Sequence, residues 1–438
     1  MTPARVILWG ATLGYVVWDP KRECGVFEYD PDFQQTGVQV APIEMPLGAT
    51  IYAFPELNEA TYRGLPGMLA DSLPDKFGNA LIDQWLAETG RTPKAFNSVE
   101  RLTYVGTRGM GALEFHPALE ASPNATISLD IQELVDLSSK VLSLREEEQF
   151  QLDPCTNQDN LEGLNNILAV GTSAGGARAK AIIAWNESTN HVRSGQIDAG
   201  DGYTYWLLKF DGVANNKDKE LADAQGYGRI EYAYHLMARD AGIAMTRCML
   251  MEENGRAHFM TRRFDRTDDG QKLHMQSLCA LGHYDFNLPG ATSYEQAFLV
   301  CDELGLGMAH KEQLFLRMVF NVLAYNRDDH TKQIAFLMDK RGQWHLSPAY
   351  DVTYAFNPSG EFTSRHQMTV NRKRDNITTE DFVAVAKRQG LNVASCKRLI
   401  DSVKAATSSW QTYAQAAQVD ERKANLIGDL IIPKRTEL

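Results

Sequence analysis

Hydrophobic and polar residues alternate in short runs at the start of the chain, which predicts a small antiparallel sheet. Apolar runs occupy residues 6–9, 14–18 and 25–29. Turn-forming and charged residues separate these runs, as expected where strands follow one another directly. Apolar residues at helical spacing then predict a helix over residues 76–88. The segments 101–106 and 111–115 close this α+β region near residue 120.

The middle of the chain predicts a helix, a polar linker and a second group of strands. Residues 131–144 form an amphipathic pattern, and an acidic and polar linker follows it. Strands are predicted at residues 181–185 and 205–210, and a helix at residues 230–241. These patterns indicate a change of domain near residue 120.

The last third of the chain is mostly helical. A helix is predicted over residues 312–325, a hairpin at 334–338 and 344–346, and a capping box at 378–381 starts another helix. The pattern as a whole predicts an α+β protein with three parts. These are an N-terminal domain at residues 1–120, a linker and smaller lobe at 121–260, and a helical lobe at 261–438.

Composition and charge argue against several classes of protein. The 438 residues carry a net charge of −12, which argues against strong binding to nucleic acid by this chain alone. A local basic patch at residues 371–374 leaves weak binding open. No apolar run approaches the roughly 18 residues of a membrane span, and no signal peptide is recognised, so we expect a cytoplasmic protein. The six cysteines contain no C-x-x-C pair, which argues against a zinc site or a disulfide framework.

Residues 326–333 and 350–351 carry the strongest chemical signal. Two carboxylates, a histidine, a lysine and a carboxamide lie within eight residues, and a further carboxylate follows the predicted hairpin: Asp328, Asp329, His330, Lys332, Gln333 and Asp351. Phosphoryl transfer uses one carboxylate to receive a hydroxyl proton and others to hold Mg²⁺. The pattern therefore predicts a kinase. Metal-dependent hydrolysis or nuclease chemistry uses similar carboxylates and stays open, as does a solvated loop.

Three weaker signals precede this segment. Residues 171–180 are rich in glycine and alanine, which suits a backbone nest for phosphate but also an ordinary turn. Lys209 ends an apolar run, so it either contacts a ligand or extends from an edge strand to solvent. Residues 261–266 suit a border for a nucleotide base, or else structural salt bridges.

Taken in order along the chain, these elements resemble the HipA family of serine/threonine kinase toxins from bacterial toxin–antitoxin systems. The resemblance covers nearly the whole length. It rests on residues 64–67, 71–75 and 105–115 in the N-terminal part, and on 173–180, 263–266, 326–332 and 348–351 in the remainder. No single motif would suffice, but their order is specific.

The resemblance implies a bilobal kinase fold, related to protein kinases and phosphoinositide kinases, that uses ATP and Mg²⁺. Asp328 matches the catalytic base, Asp351 and Gln333 the Mg²⁺ ligands, and Ser173 a serine that such kinases autophosphorylate. Nucleotide contacts are implied for Gly175, Gly176, Ala177, Arg178, Ala179, Lys180, Lys209, Arg262, Arg263, Phe264, His330, Lys332, Gln333 and Tyr350. Gln333 departs from the family's usual asparagine. Its extra methylene shifts a ligand oxygen that Mg²⁺ requires in near-ideal geometry.

The implied role is a toxin that phosphorylates a translation component such as an aminoacyl-tRNA synthetase. The implied partner is a helix-turn-helix antitoxin (HipB-like), and operator DNA would be bound only through that complex, with no membrane involved. The alternative, motivated by Gln333 and the basic patches, is a weakly active or inactive kinase-like protein. Such a protein would act mainly as a binding partner of the antitoxin and operator.

Overall fold

A computed structural model describes residues 3–88, 90–92, 96–118, 130–132, 134–136, 138, 179–196, 198–213, 217–218, 221–222, 225–267 and 269–437. Contacts between Cα atoms divide the chain into two compact units. The first unit comprises Met1–Val38, Leu47–Gln225 and Met251–Met275. The second unit comprises Gln39–Pro46, Gly226–Leu250 and Gln276–Leu438. The three-part division expected from the sequence stays a prediction.

The first unit begins with the predicted antiparallel sheet. Its strands are β1 (Ala4–Leu8), β2 (Ala11–Asp19), β3 (Cys24–Tyr29), β4 (Ile51–Tyr52) and β5 (Leu113–His116), in the order β4-β3-β2-β1-β5. Most residues of β1 and β3 are buried, as are Leu13, Gly14 and Val16 of β2, as expected for apolar runs that pack into a core. The three N-terminal strands predicted from the sequence are confirmed.

Helices of the first unit connect these strands. They are α1 (Pro31–Gln34), α2 (Glu59–Tyr62), α3 (Gly67–Ala70), α4 (Lys76–Glu88) and α5 (Ser98–Val105). A capping box starts α5, because Asn97 accepts hydrogen bonds from backbone N–H groups and Glu100 accepts one from the N–H of Asn97. The predicted helix at residues 76–88 is confirmed.

A second sheet, which lies mostly in the first unit, contains Lys209. Its strands are β6 (Lys180–Asn186), β7 (His191–Ser194), β8 (Thr204–Lys209), β11 (Cys248–Glu253) and β12 (Arg256–Arg262), in the order β11-β12-β8-β6-β7. The short strands β9 (Lys217–Asp218) and β10 (Leu221–Ala222) pair with each other. Residues 180–184 are all buried, which explains the apolar run after Lys180.

The second unit is mostly helical. Its helices are α6 (Tyr227–Asp240), α7 (Leu278–Leu281), α8 (Tyr294–Glu303), α9 (Met308–Leu323), α10 (Thr379–Arg388), α11 (Val393–Ser408), α12 (Trp410–Ala416) and α13 (Glu421–Glu437). The strands β13 (His274–Ser277), β14 (Ala335–Met338) and β15 (Trp344–Leu346) form a small sheet in that order. The side chain of Tyr234 makes edge contacts with Phe320 and Trp410 at the centre of the helices.

Most predicted elements of the second unit are confirmed, including the hairpin at β14 and β15 and the capping box before α10. Helix α9 begins at Met308, four residues before its predicted start. The predicted helix at residues 131–144 lies mostly outside the described residues. The mixed α+β class is confirmed. Within the described part of the chain, no helix is both long enough and apolar enough to span a bilayer.

Candidate active site

Helix α9 delivers the chain directly into the segment that carries the strongest sequence signal. The helix is capped at Ala324, and Tyr325 then turns the backbone with a left-handed φ of 52°. Asn326 forms a bridge with Ala355, and the backbone N–H of Arg327 donates to the carbonyl of Ala355. These contacts hold the backbone of Asn326 and Arg327 against Ala355, directly before Asp328.

Asp328 is the more accessible of the two adjacent carboxylates. Its side chain is 25% exposed, whereas that of Asp329 is 1% exposed. Oδ1 of Asp328 accepts a hydrogen bond of 2.6 Å from the side-chain amide of Gln367. Nε2 of His330 lies 3.8 Å from the same oxygen, which is beyond hydrogen-bond distance. A carboxylate held in this way remains accessible to a reacting hydroxyl group.

Both carboxylate oxygens of Asp329 accept hydrogen bonds from other residues of the protein. Its Oδ2 accepts from the hydroxyl of Tyr294 at 3.0 Å and from Nδ1 of His366 at 3.0 Å. Its Oδ1 accepts from the backbone N–H of Gln367 at 2.8 Å. Burial and the charge of Asp329 raise the pKa of Tyr294 well above its usual range, so this hydroxyl stays a donor. Asp329 therefore anchors the loop.

Asp351 and Gln333 form the second polar pair. The side-chain amide of Gln333 donates to Oδ2 of Asp351 at 2.7 Å, and Asp351 has a left-handed φ of 56°. Gln333 belongs to a 3₁₀ turn (Thr331–Gln333) that precedes β14. In this arrangement the amide nitrogen of Gln333, and not its oxygen, faces the carboxylate.

This pair suits Mg²⁺ in its chemistry. Mg²⁺ takes oxygen ligands, and it is commonly held by one or two protein groups with waters and phosphates completing the shell. Asp351 supplies a carboxylate, and a half-turn of the Gln333 amide would present its oxygen. Among the described residues, no cluster of three or more His, Cys, Asp or Glu side chains suits a metal ion. Asp351 and Gln333 could together supply two oxygen ligands, and waters or phosphate oxygens would have to complete the shell of a bound Mg²⁺.

His330, Lys332 and Tyr350 belong to the same two segments as Asp328 and Asp351. The rings of His330 and Phe286 are 5.2 Å apart, and Nζ of Lys332 lies 5.1 Å from the centre of the Phe286 ring. The hydroxyl of Tyr350 donates to the carbonyl of Lys332. A cavity of about 20 Å³ is lined by His330, Gln333 and Tyr350 among others, which is room for one or two water molecules.

The remaining predicted residues belong to the first unit. Lys209 ends β8 and pairs in register with Lys180 on one side and Phe259 on the other. Its Nζ lies 5.8 Å from the centre of the Phe259 ring. Lys180 is buried, and its Nζ lies 2.9 Å from a carboxylate oxygen of Asp75. The charge of Lys180 is thus balanced within the protein.

Arg263 is also engaged internally. Its guanidinium forms a two-point pair with the buried carboxylate of Asp265, at 2.9 and 2.7 Å. Arg266 donates to the same carboxylate at 2.8 Å, and the backbone N–H of Gly111 donates to it at 2.7 Å. This geometry favours the salt-bridge interpretation for Arg263. A nucleotide contact by Arg262, Arg263 or Phe264 stays a prediction.

Ser173, Gly175, Gly176, Ala177 and Arg178 lie outside the described residues, and Ala179 is buried. The structure brings His330 close to Asp328, and Gln333 close to Asp351. It also adds participants that the sequence reasoning missed: Tyr294, Phe286, His366 and Gln367. No local motif marks these residues, since each acts through a contact with a segment more than thirty positions away.

Comparisons with known proteins agree with the motifs. Residues 172–410 match the HipA-like C-terminal domain family, and residues 4–116 match the HipA N-terminal domain family. No curated protein sequence matches the chain significantly.

Among solved structures, the chain is similar to HipA of Shewanella oneidensis MR-1, determined in that organism's toxin–antitoxin complex of HipA, HipB and operator DNA. The identity is 17%, the alignment covers 99% of this chain and 96% of that one, and the TM-score is 0.66. The proinflammatory kinase CtkA of Helicobacter pylori aligns at 11% identity over 55% of this chain and 92% of that one. The TM-score of that alignment is 0.31.

The match to Shewanella HipA shows a shared fold. The C-terminal family match extends over more than half of the chain, and the N-terminal match covers most of the sequence before residue 120. On these grounds the chain belongs to the HipA family.

Proposed function

We propose that this chain is an ATP- and Mg²⁺-dependent serine/threonine protein kinase that acts as the toxin of a toxin–antitoxin module. The single observation that carries the proposal is the difference in exposure and hydrogen bonding between the adjacent carboxylates Asp328 and Asp329. Asp329 is buried and accepts hydrogen bonds at both oxygens, whereas the side chain of Asp328 is 25% exposed and accepts a hydrogen bond from the neutral amide of Gln367. A general base needs such an accessible, oriented carboxylate.

In the proposed reaction, Asp328 accepts the proton of a substrate serine or threonine hydroxyl. The hydroxyl oxygen forms a bond to the γ-phosphorus of ATP, and the bond from that phosphorus to the bridging oxygen breaks as ADP leaves. Asp351 and Gln333 would hold Mg²⁺, which when bound neutralises charge on the β- and γ-phosphates. Lys209, with the segment 175–180, would contribute contacts to the phosphates.

The proposed substrate is a translation component such as an aminoacyl-tRNA synthetase, and Ser173 is the proposed site of autophosphorylation. The proposed partner is a helix-turn-helix antitoxin, by analogy with the HipB that accompanies HipA in the Shewanella complex. The net charge of −12 supports operator binding through that partner, because phosphate contacts require basic groups. The fold alone does not dictate the substrate.

A transfer assay tests the proposal. The purified chain is incubated with labelled ATP and a cell lysate, with and without Mg²⁺. The wild type is expected to label itself and a lysate protein only when Mg²⁺ is present, and Asp328→Asn to reduce labelling by about 10²–10⁴-fold. The control is Asp401→Asn, which makes the same change at an exposed position on α11. No labelling and no nucleotide binding by the wild type would end the kinase proposal.

A second candidate is favoured by the Gln333 amide, whose nitrogen faces Asp351. A weakly active or inactive kinase-like protein would act mainly through the antitoxin and operator. For that candidate, Asp328→Asn leaves growth inhibition and complex formation unchanged. Nuclease chemistry, the third possibility raised by the sequence, predicts nucleic-acid cleavage that survives Lys209→Ala.

A further inference from the structure

The segment His366–Gln367 contacts both carboxylates of the candidate catalytic loop. The side-chain amide of Gln367 donates to Oδ1 of Asp328 at 2.6 Å, and its backbone N–H donates to Oδ1 of Asp329 at 2.8 Å. The ring of His366 adds a contact of 3.0 Å to Oδ2 of Asp329. Two successive residues therefore fix the positions of two successive carboxylates.

The backbone of this segment is itself held firmly. The carbonyl of Gln367 accepts from the N–H of Gly290 at 2.7 Å, and the N–H of His366 donates to the carbonyl of Arg374 at 3.0 Å. Thr369 forms a parallel bridge with Ser293, directly before α8. Both His366 and Gln367 are buried. The amide that contacts Asp328 thus projects from a fixed support and not from a free loop.

We propose that Gln367 is a positioning residue for the catalytic base Asp328, an inference that rests on the proposed kinase function. Its hydrogen bond to Oδ1 restricts rotation of the carboxylate, so that Asp328 meets the substrate hydroxyl in one orientation. Because the amide is neutral, it orients the base without neutralising its charge. Misplacing a reacting group by about 1 Å costs on the order of 10²-fold in rate.

Gln367 also permits a substitution that separates positioning from stability. Its Oε1 is buried and has no hydrogen-bond partner among the described residues. Gln367→Met keeps a similar volume and removes both the donor that orients Asp328 and this unpaired carbonyl. Loss of one hydrogen bond is offset by removal of an unsatisfied buried acceptor, so the thermal midpoint is expected to change little.

The test measures kcat, KM for ATP and the thermal midpoint for four variants of the full chain: Gln367→Met, Asp328→Asn, the double variant, and Gln415→Met at an exposed control position. We expect Gln367→Met to lower kcat about 10- to 100-fold, with KM for ATP within about two-fold and the midpoint unchanged. In the Asp328→Asn background the same change should have no further effect, because Gln367 acts through Asp328.

Three results would overturn the inference. One is an unchanged kcat in Gln367→Met while the wild type is active, which leaves the kinase function standing. Another is a loss of kcat that tracks a lower midpoint, which indicates a purely structural role. The third is a full additional loss in the double variant. An inactive wild type that binds no nucleotide would instead refute the kinase function itself, and the inference with it.

Discussion

Substitution of Asp265 by alanine is expected to destabilise the first unit strongly. The carboxylate is buried and accepts hydrogen bonds from Arg263, Arg266 and the backbone of Gly111. Burial alone would raise the pKa of Asp265, but the two guanidinium groups and the Gly111 bond hold it well below its usual range. Asp265 is therefore ionised in the folded protein and compensates two buried cations.

The loss of stability can be estimated because the substitution leaves two buried guanidinium groups without their carboxylate. The side chains of Arg263 and Arg266 are 1% and 7% exposed, so neither can recover its hydration in the folded state. Removing one partner of a buried ion pair costs about 3–5 kcal/mol. At about 2–4 °C per kcal/mol for a unit of this size, the thermal midpoint should fall by roughly 6–20 °C.

Differential scanning calorimetry is the assay, because two units need not unfold in one transition. Asp201→Ala serves as the control, since it removes an exposed carboxylate from the same unit and should lie within about 0.5 kcal/mol of wild type. A midpoint for Asp265→Ala within about 2 °C of wild type would refute the reasoning.

The pH dependence gives an independent check. A carboxylate whose folded pKa is depressed stabilises the fold above its unfolded pKa, near 4, and this contribution is lost as the pH falls below that value. The difference in stability between wild type and Asp265→Ala should therefore be largest near neutral pH and shrink in acid. A difference that grows on acidification would contradict the assigned ion pairs.

Three further predictions concern other parts of the chain. Lys180→Met should cost about 3–5 kcal/mol in urea unfolding because it leaves Asp75 buried without its cation, and Asp75→Leu in the same chain should restore most of the loss. Gln333→Asn should lower the Mg²⁺ concentration needed for half-maximal labelling, measured by titration, if the longer side chain places its oxygen poorly. Burial lowers the pKa of His258 to about 4, so below about pH 6.5 the unfolded chain binds a proton that the folded chain does not, and stability should decline from there toward pH 4. His258→Asn should flatten that decline in acid-unfolding curves.

The local pattern was sufficient for most of the fold. Strands β1 to β3, helix α4 and the hairpin of β14 and β15 follow from their apolar runs and apolar spacing, because the apolar residues of these elements are mostly buried. Helix α9 begins four residues before the start that the apolar pattern predicts. Its first turn contains the exposed Met308 and the polar His310, and so carries no apolar stripe.

The site was predictable only in part, for a physical reason. Asp328, Gln333 and Asp351 lie within a short span of the chain, so the local density of polar and charged residues was enough to identify them as candidates. Gln367 reaches Asp328 across 39 positions, a relation set by the packing of a distant segment. The pairing of Lys180 with Asp75 could not be read from the sequence, since only tertiary structure determines which distant carboxylate a buried cation meets. The pair of Arg263 and Asp265 is local, and it agrees with the structural salt bridges that residues 261–266 left open.

The kinase assignment is tested most directly by intact-mass spectrometry of the purified chain after incubation with ATP and Mg²⁺, with Asp328→Asn treated in parallel. The account predicts that the wild type gains a phosphoryl group, that peptide mapping places it on Ser173, and that Asp328→Asn remains unmodified. Equal modification of both proteins would contradict the role of Asp328. An unmodified wild type that also binds no nucleotide would contradict the kinase assignment.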